Sequence, residues 1–507
     1  MKKLREGQLF GWAIVFVLVA SIPYLSELNH PRYSFIGDEW GFFELGKRVV
    51  AERFSFNPLS GGVYVFNTMF AQMIQALPML LWGEHVWVWK LSGMLTVFTS
   101  VLLVFIWARM WFGSLVALFS TIAYGASSYA WNFSLIGYVN PQGVLHLLLL
   151  HVLLSGLVLN ERFQRCKVVS TVVGIVAGLS FYVFGGLVFP VILSPYLIFC
   201  LHRENRSPLL HCFGIIAVVG FFTALPGLLN EELRNALFSQ SSLPAHPLTF
   251  SDRLGHGFDY LVSFAYMKKD CHYAYGPYVD AVTRVGVIVG TIAVLITINA
   301  SKGALHQSRK FNGAFIVFAC LVFTAFMYGF TSPYPEPPRT RGIFMLPIFA
   351  VLAGIGFGRI AHMIGERPKA CMLAAIACTT IFLNLARRHQ FFTLIGVTND
   401  SCVTWRVRNA LSVNPSLTTI YLQPAWKLLG DEAPFDALSK AANVVALLRE
   451  YEIHGINIVP ANEETPALIE NIAVVDLNDV YATGCRDLAT KELPWYVRGL
   501  GDSNLWW

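Results

Sequence analysis

The sequence predicts a mainly α-helical, polytopic transmembrane bundle of about 11 spans plus juxtamembrane helices, with a small C-terminal extracytoplasmic α/β domain. Three observations predict it. Of 507 residues, 55% are hydrophobic and only 13% are charged, a balance that excludes an ordinary soluble domain. The apolar residues fall into blocks of about twenty, the length that crosses a bilayer. Beyond about residue 387 these blocks give way to short β-rich runs around a helical pattern. The net charge of +6 is too small to imply nucleic acid as a partner. A mean hydropathy of +0.54 makes the lipid bilayer the expected one.

The chain opens Met1-Lys2-Lys3-Leu4-Arg5 and runs into a first apolar segment over 9–26. Ser21-Ile22-Pro23-Tyr24 makes a poor cleavage site, so a retained helix with a cytoplasmic N-terminus is expected. Further spans are predicted at 86–107, 113–131, 141–159, 168–186, 187–201, 211–229, 282–299, 311–330, 342–363 and 368–386. The stretch from 168 to 201 is divided at Gly185-Gly186, because one helix of that length would overshoot the bilayer.

Gly62 to Trp82 is wetter, with Asn67, Gln72, Gln75 and Pro78. If it does not cross, the basic loops at Arg109, 161–167, 202–206, 301–310 and 366–369 all face the cytoplasm; if it crosses, all of them face outward. It is therefore expected to lie along the membrane or dip into it. The outer face then receives the Asp38-Glu39 loop, residues 132–140, 230–281 and 331–341, and everything after 386.

The chain accordingly divides into a membrane module, 1–386, and an outer domain, 387–507. In the latter, Thr418–Leu422, Ile456–Val459 and Ile472–Val475 read as strands and Phe435–Glu450 as a helix. It holds no Gly-rich nucleotide loop and no metal-spaced His/Cys set. The nine cysteines form no C-x-x-C pair; Cys402 and Cys485 can pair if the region is outside, and the sequence leaves that open.

Four constellations carry chemistry. Gly37-Asp38-Glu39-Trp40 puts adjacent carboxylates just past the first span. Such a group serves as a general base or a metal ligand, although a solvated acidic pair at a helix start is the plain alternative. Ser332-Pro333-Tyr334-Pro335-Glu336-Pro337-Pro338-Arg339-Thr340-Arg341 is stiffened by proline and ends in two arginines on the face where basic residues are disfavoured. A guanidinium at headgroup level suits phosphate; a lipid anchor or an ion pair with Glu336 would also account for it. The loop Trp131 to Pro141 carries Tyr138 and Asn140, with Asn140 placed to cap the next helix. Finally, Lys268, Lys269 and His272 bring outer positive charge, either substrate-facing or simply solvated.

The order of these parts resembles the GT-C superfamily of integral-membrane glycosyltransferases, in particular the protein-mannosyltransferase and aminoarabinose-transferase-like branch. The likeness spans residues 1 to about 386. It rests on the Asp38-Glu39 loop after one helix, the half-buried stretch ending Leu81-Trp82-Gly83-Glu84, the turn Arg109-Met110-Trp111-Phe112-Gly113, and the Pro-rich loop entering Arg341-Gly342-Ile343-Phe344-Met345-Leu346-Pro347. The resemblance implies inverting transfer of a sugar from a polyprenyl-phosphate donor to a protein, glycolipid or polysaccharide acceptor at the extracytoplasmic face. It makes Asp38 the base, with Glu39 beside it, and Arg339 or Arg341 the donor-phosphate ligand. Many members carry a second Asp before the fourth span, where this chain has Asn132 and Asn140. A divalent metal is thus compatible with the acids but not required. The outer loops are short, which favours a bacterial inner membrane. The competing readings are a transporter or flippase for a lipid-linked saccharide and a non-catalytic assembly subunit. A transporter is disfavoured by the lack of charge in the middle of the spans.

Overall fold

The computed structural model describes residues 6–25, 28, 39–53, 55, 69–135, 137, 139–183, 188–201, 207–230, 249–265, 277–300, 309–331, 339–364, 366–394, 416, 418–423, 457–460 and 472–476. Helices occupy every predicted span. They are α1 (Glu6–Leu25), α2 (Glu39–Ala51), α3 (Met69–Ala76), α4 (Met79–Trp82), α5 (Val86–Phe112), α6 (Ser114–Gly125), α7 (Ser128–Leu135), α8 (Asn140–Leu159) and α9 (Glu161–Arg165). There follow α10 (Lys167–Val183), α11 (Val188–Leu201), α12 (Ser207–Leu229), α13 (Phe250–Val262), α14 (Ala281–Ala300) and α15 (Arg309–Thr331). A 3₁₀ turn, Arg339–Phe344, leads into α16 (Leu346–Met363), and α17 (Glu366–Leu394) closes the bundle.

Six of these helices, α5, α8, α12, α14, α15 and α16, are each long and apolar enough to cross a membrane. The chain is an integral membrane protein on that ground. In the described part of 62–82, the chain breaks at Leu77–Pro78 into helices of eight and four residues, both too short to cross.

One predicted span differs. The stretch 113–131 is not a single helix but α6 and α7, separated at Ala126–Ser127. The break is held by side chains. Trp131 Nε1 donates to the Gly125 carbonyl at 2.8 Å, and Asn384 Oδ1 accepts from Ser128 N at 3.0 Å. Those bonds satisfy backbone groups that a continuous helix would have paired itself.

Helix α16 is the centre of the packing. One face meets α14, where Gly286 and Gly290 lie against Leu352 and Gly356; a Cβ on Gly290 would collide with the Leu352 carbonyl. Another face meets α6, where Gly354 and Gly358 lie against Val116 and Ser120. Small residues four apart let helix backbones approach closely where water supplies no driving force. Beside this core, helix α13 starts with a capping box between Thr249 and Asp252, whose hydrogen bonds from Thr249 hold the Asp252 carboxyl below its ordinary pKa.

In the C-terminal region three strands are described: β1 (Thr419–Gln423), β2 (Asn457–Pro460) and β3 (Ile472–Asp476). They coincide with the three predicted runs to within a residue. The sheet is parallel, in the order β2-β1-β3, with Ile420 opposite Ile458 and Ala473. Parallel neighbours need crossover connections. The predicted helix 435–450, Cys402 and Cys485 lie outside the described residues.

Candidate active site

Helix α2 begins at Glu39; the Glu39 side chain and all of Asp38 lie outside the described residues. What is described is how α2 is seated. Phe42 and Phe43 are fully buried, and Phe43 meets Trp89 of α5 edge-on with ring centroids 6.2 Å apart. Gly46 leaves room for the same indole. Trp89 Nε1 then donates to the Gly137 carbonyl at 2.8 Å. Gly137 has φ +81°, the left-handed conformation glycine adopts without strain, and it turns the chain from α7 into α8. A single tryptophan therefore joins the helix that follows the Asp38-Glu39 pair to the loop expected to carry Tyr138 and Asn140.

Asn140 is wholly buried, but it does not cap α8 as the sequence predicts. It is the first helical residue, and the cap position is Val139, with no side-chain cap bond. Pro141 sets the turn instead, since its ring fixes φ and it needs no donor there. Gln142 Nε2 donates to Thr96 Oγ1 at 2.8 Å and ties α8 to α5.

The 3₁₀ turn with the two arginines packs against α8. Arg341 is half-buried and interacts electrostatically with Tyr328 of α15. The Arg339 backbone opens the turn, and its side chain lies outside the described residues. Gly342 sits directly beneath the Tyr278 phenol, where a Cβ would collide with the ring. The structure thus brings α2, the 137–142 turn and the Arg341 turn to one end of the bundle. Tyr138, Lys268, Lys269 and His272 lie outside the described residues.

Three features at this end escaped the sequence reading. Lys90, one residue past Trp89, is completely buried. Its signal was a cation inside an apolar block, costly unless enclosed by protein. Gln72 and Gln75 on α3 are also fully buried; Gln75 Nε2 reaches towards the Gly137 carbonyl at 3.5 Å, and neither end of the Gln72 amide has a partner among the described residues. The sequence registered those amides only as wetness. The third feature is a polar network around Asp280, which is only 2% exposed. Asp280 Oδ1 accepts from the backbone N–H groups of Val282 and Thr283, both at 3.0 Å. Its Oδ2 accepts from Thr283 Oγ1 at 2.6 Å and from Asn384 Nδ2 at 3.0 Å. Among the described residues, no group of three or more His, Cys, Asp or Glu side chains is arranged to hold a metal ion.

A helical membrane protein with a cluster of buried polar groups at one end is the class these features define. Among solved structures it superposes on the apo oligosaccharyltransferase of Archaeoglobus fulgidus with TM-score 0.53 and 12% identity, over 92% of this chain and 65% of that one. The same archaeal enzyme, AglB, in complex with an inhibitory peptide and a dolichol-phosphate, gives TM-score 0.50 and 12% identity over 89% and 64%. ArnT from Cupriavidus metallidurans bound to undecaprenyl phosphate aligns at 12% identity over 90% and 87%, with a TM-score of 0.49 that is too low to carry weight. The chain spans a little under two thirds of the archaeal enzyme it matches. No protein-family model and no curated protein matches the sequence. The likeness to the archaeal oligosaccharyltransferase is one of fold.

Proposed function

We propose that this protein transfers a sugar from a polyprenyl-phosphate-linked donor to an acceptor at the extracytoplasmic face of the membrane, with inversion. The observation that carries the reading is the GT-C fold combined with the convergence of α2, the 137–142 turn and the Arg341 turn at one end. In this reading the membrane module has about eleven crossings, the end that carries Arg341 faces outward, and residues 387–507 form an outer domain. A bacterial inner membrane fits the short outer loops.

Asp38 takes the proton of the acceptor nucleophile as that atom bonds to the anomeric carbon. The bond from that carbon to the phosphate oxygen breaks, and the polyprenyl phosphate leaves with the electron pair. Arg341, or Arg339 two residues before it, meets the negative charge as it develops on the leaving oxygen, where a fixed guanidinium acts most strongly. Lys90 adds a second cation at the same end. Glu39 stands next to the base. Tyr138, Asn140, Lys268, Lys269 and His272 belong to the surrounding substrate-facing surface in this proposal.

The position of charge favours an enzyme over a transporter. In the six long helices, Lys90, Arg109, Arg284 and Arg359 all stand within about two turns of a helix end. A transporter would be expected to bury such groups near the midplane. The test is a transfer assay with protein in nanodiscs, a polyprenyl-phosphate sugar and a panel of acceptors. Release of polyprenyl phosphate that depends on acceptor supports the reading. Movement of intact donor between leaflets without release would put the transporter in its place.

A further inference from the structure

The segment Pro277–Asp280 is fixed from both sides. Arg387 Nη2 of α17 donates to the Pro277 carbonyl, and Tyr278 N donates to the Ser263 carbonyl at 3.2 Å. Two residues on, Asp280 caps α14 and accepts from Asn384, one turn before Arg387 on the same helix. The other end of the Asn384 amide accepts from Ser128 N at the break between α6 and α7. One buried side chain therefore joins its own helix to two elements that are 104 and 256 residues away in sequence. Arg284 and Arg387 both interact electrostatically with the Asp280 carboxylate.

What the segment holds is Tyr278. Its ring is buried, packs against Tyr129 of α7 with centroids 4.8 Å apart, and covers Gly342 so closely that no side chain fits there. Gly342 is the neighbour of Arg341. The phenol ring thus presses on the 3₁₀ turn at the point where the guanidinium departs. An arginine loses rotamer freedom when it grips a ligand, so a backbone held in place reduces what remains to be ordered.

From this geometry we infer that Asp280, Asn384 and Arg387 are positioning residues, which hold Tyr278 as a clasp over Gly342 and so set Arg341 for a phosphate group. The inference rests on the proposed role of Arg341. None of the three residues needs to touch the donor. Asp280 orients Asn384 and the start of α14, Asn384 carries that order to α7, and Arg387 holds the carbonyl beside Tyr278. The network joins segments from the middle of the chain and from the helix that runs towards the C-terminal region, which explains why no local motif reveals it.

A binding cycle on the full-length protein in nanodiscs tests this, with undecaprenyl phosphate as the probe. Asn384→Ala and Tyr278→Leu should each weaken probe binding about tenfold, and combining either with Arg341→Ala should cost no more than Arg341→Ala alone. Arg387→Lys should retain more binding than Arg387→Ala. A merely structural role would instead give losses that multiply with that of Arg341→Ala. Multiplying losses, or wild-type binding in a folded Tyr278→Leu variant, would overturn the clasp. Tyr278→Leu leaves every side-chain bond of the network intact, so it decides the matter even if Asn384→Ala does not fold. Should Arg341→Ala bind the probe as wild type does, Arg341 leaves the site and the clasp loses its purpose with it. Loss in Arg341→Ala alone would remove the clasp and keep the functional reading.

Discussion

The two ends of the helical bundle are built differently. At one end, Tyr24, Ser128, Asp280 and Asn384 are buried, Arg387 is partly buried, and they are linked across long sequence separations. Tyr24 stacks on Trp131 with centroids 5.6 Å apart, so even the first helix is tied to this layer. At the other end, Glu161, Arg162, Arg165 and Lys167 are exposed, and Gln164 Nε2 donates locally to the carbonyls of Leu157 and Val158 at 3.1 and 3.2 Å. Longer-range ties there run from Arg309 Nε to the Met110 carbonyl, from Cys212 Sγ to the Gln164 carbonyl at 3.1 Å and from Trp111 Nε1 to Ser155 Oγ at 2.8 Å, and none of them engages a carboxylate. Charge that merely orients a protein in a membrane can stay in water. Charge that holds neighbouring groups in a fixed geometry is buried and bonded, at a desolvation cost.

That contrast can be broken by mutation. The largest effect is expected at the networked end. Arg341→Ala should raise the KM for a polyprenyl-phosphate donor about ten- to hundredfold, the loss of one charge-assisted phosphate contact, and Arg341→Lys should recover part of it. The measurement is steady-state transfer at varied donor, and an unchanged KM would move the phosphate contact to Arg339 or Lys90.

The helix core between the two ends should respond through stability. Gly290→Ala pushes a methyl group into the Leu352 carbonyl and should cost about 1–3 kcal/mol, read as a lower melting temperature in detergent. A smaller loss is expected at Tyr196, whose hydroxyl lies 2.9 Å from Ser155 Oγ while that oxygen accepts from Trp111 Nε1 at 2.8 Å. The Tyr196 hydroxyl also donates to the His151 carbonyl at 3.2 Å, so Tyr196→Phe should cost about 1–2 kcal/mol without altering donor KM.

The smallest effect belongs to the exposed end. Arg162→Gln and Arg165→Gln should each change stability by less than about 0.5 kcal/mol and leave transfer unaltered. A loss of activity there as large as at Arg341 would erase the distinction between the ends.

Much of the fold was legible in the sequence because its elements are long and locally encoded. An apolar block of twenty residues states its own helix, and the three C-terminal runs state their own strands. The division of 113–131 into α6 and α7 was not legible, since it depends on Asn384 reaching Ser128 from far along the chain. The same holds for the network. Asp280 looks like any helix cap in sequence, and Arg387 like any basic residue at the end of a span. Arg341 stood out because its charge runs against the topology rule, whereas Lys90, a lone cation inside an apolar block, was not singled out. The role of Asn140 was misread as a cap because the Asn-Pro pair fits that pattern one residue out of register.

The central claim is that sugar transfer takes place at the networked end, with Asp38 as the base. Asp38→Asn is nearly isosteric and removes only the proton acceptor. Turnover with a polyprenyl-phosphate sugar donor, measured beside donor affinity, should fall about 10²–10⁴-fold while affinity stays within a few-fold of wild type. Near-normal turnover in Asp38→Asn would contradict the account.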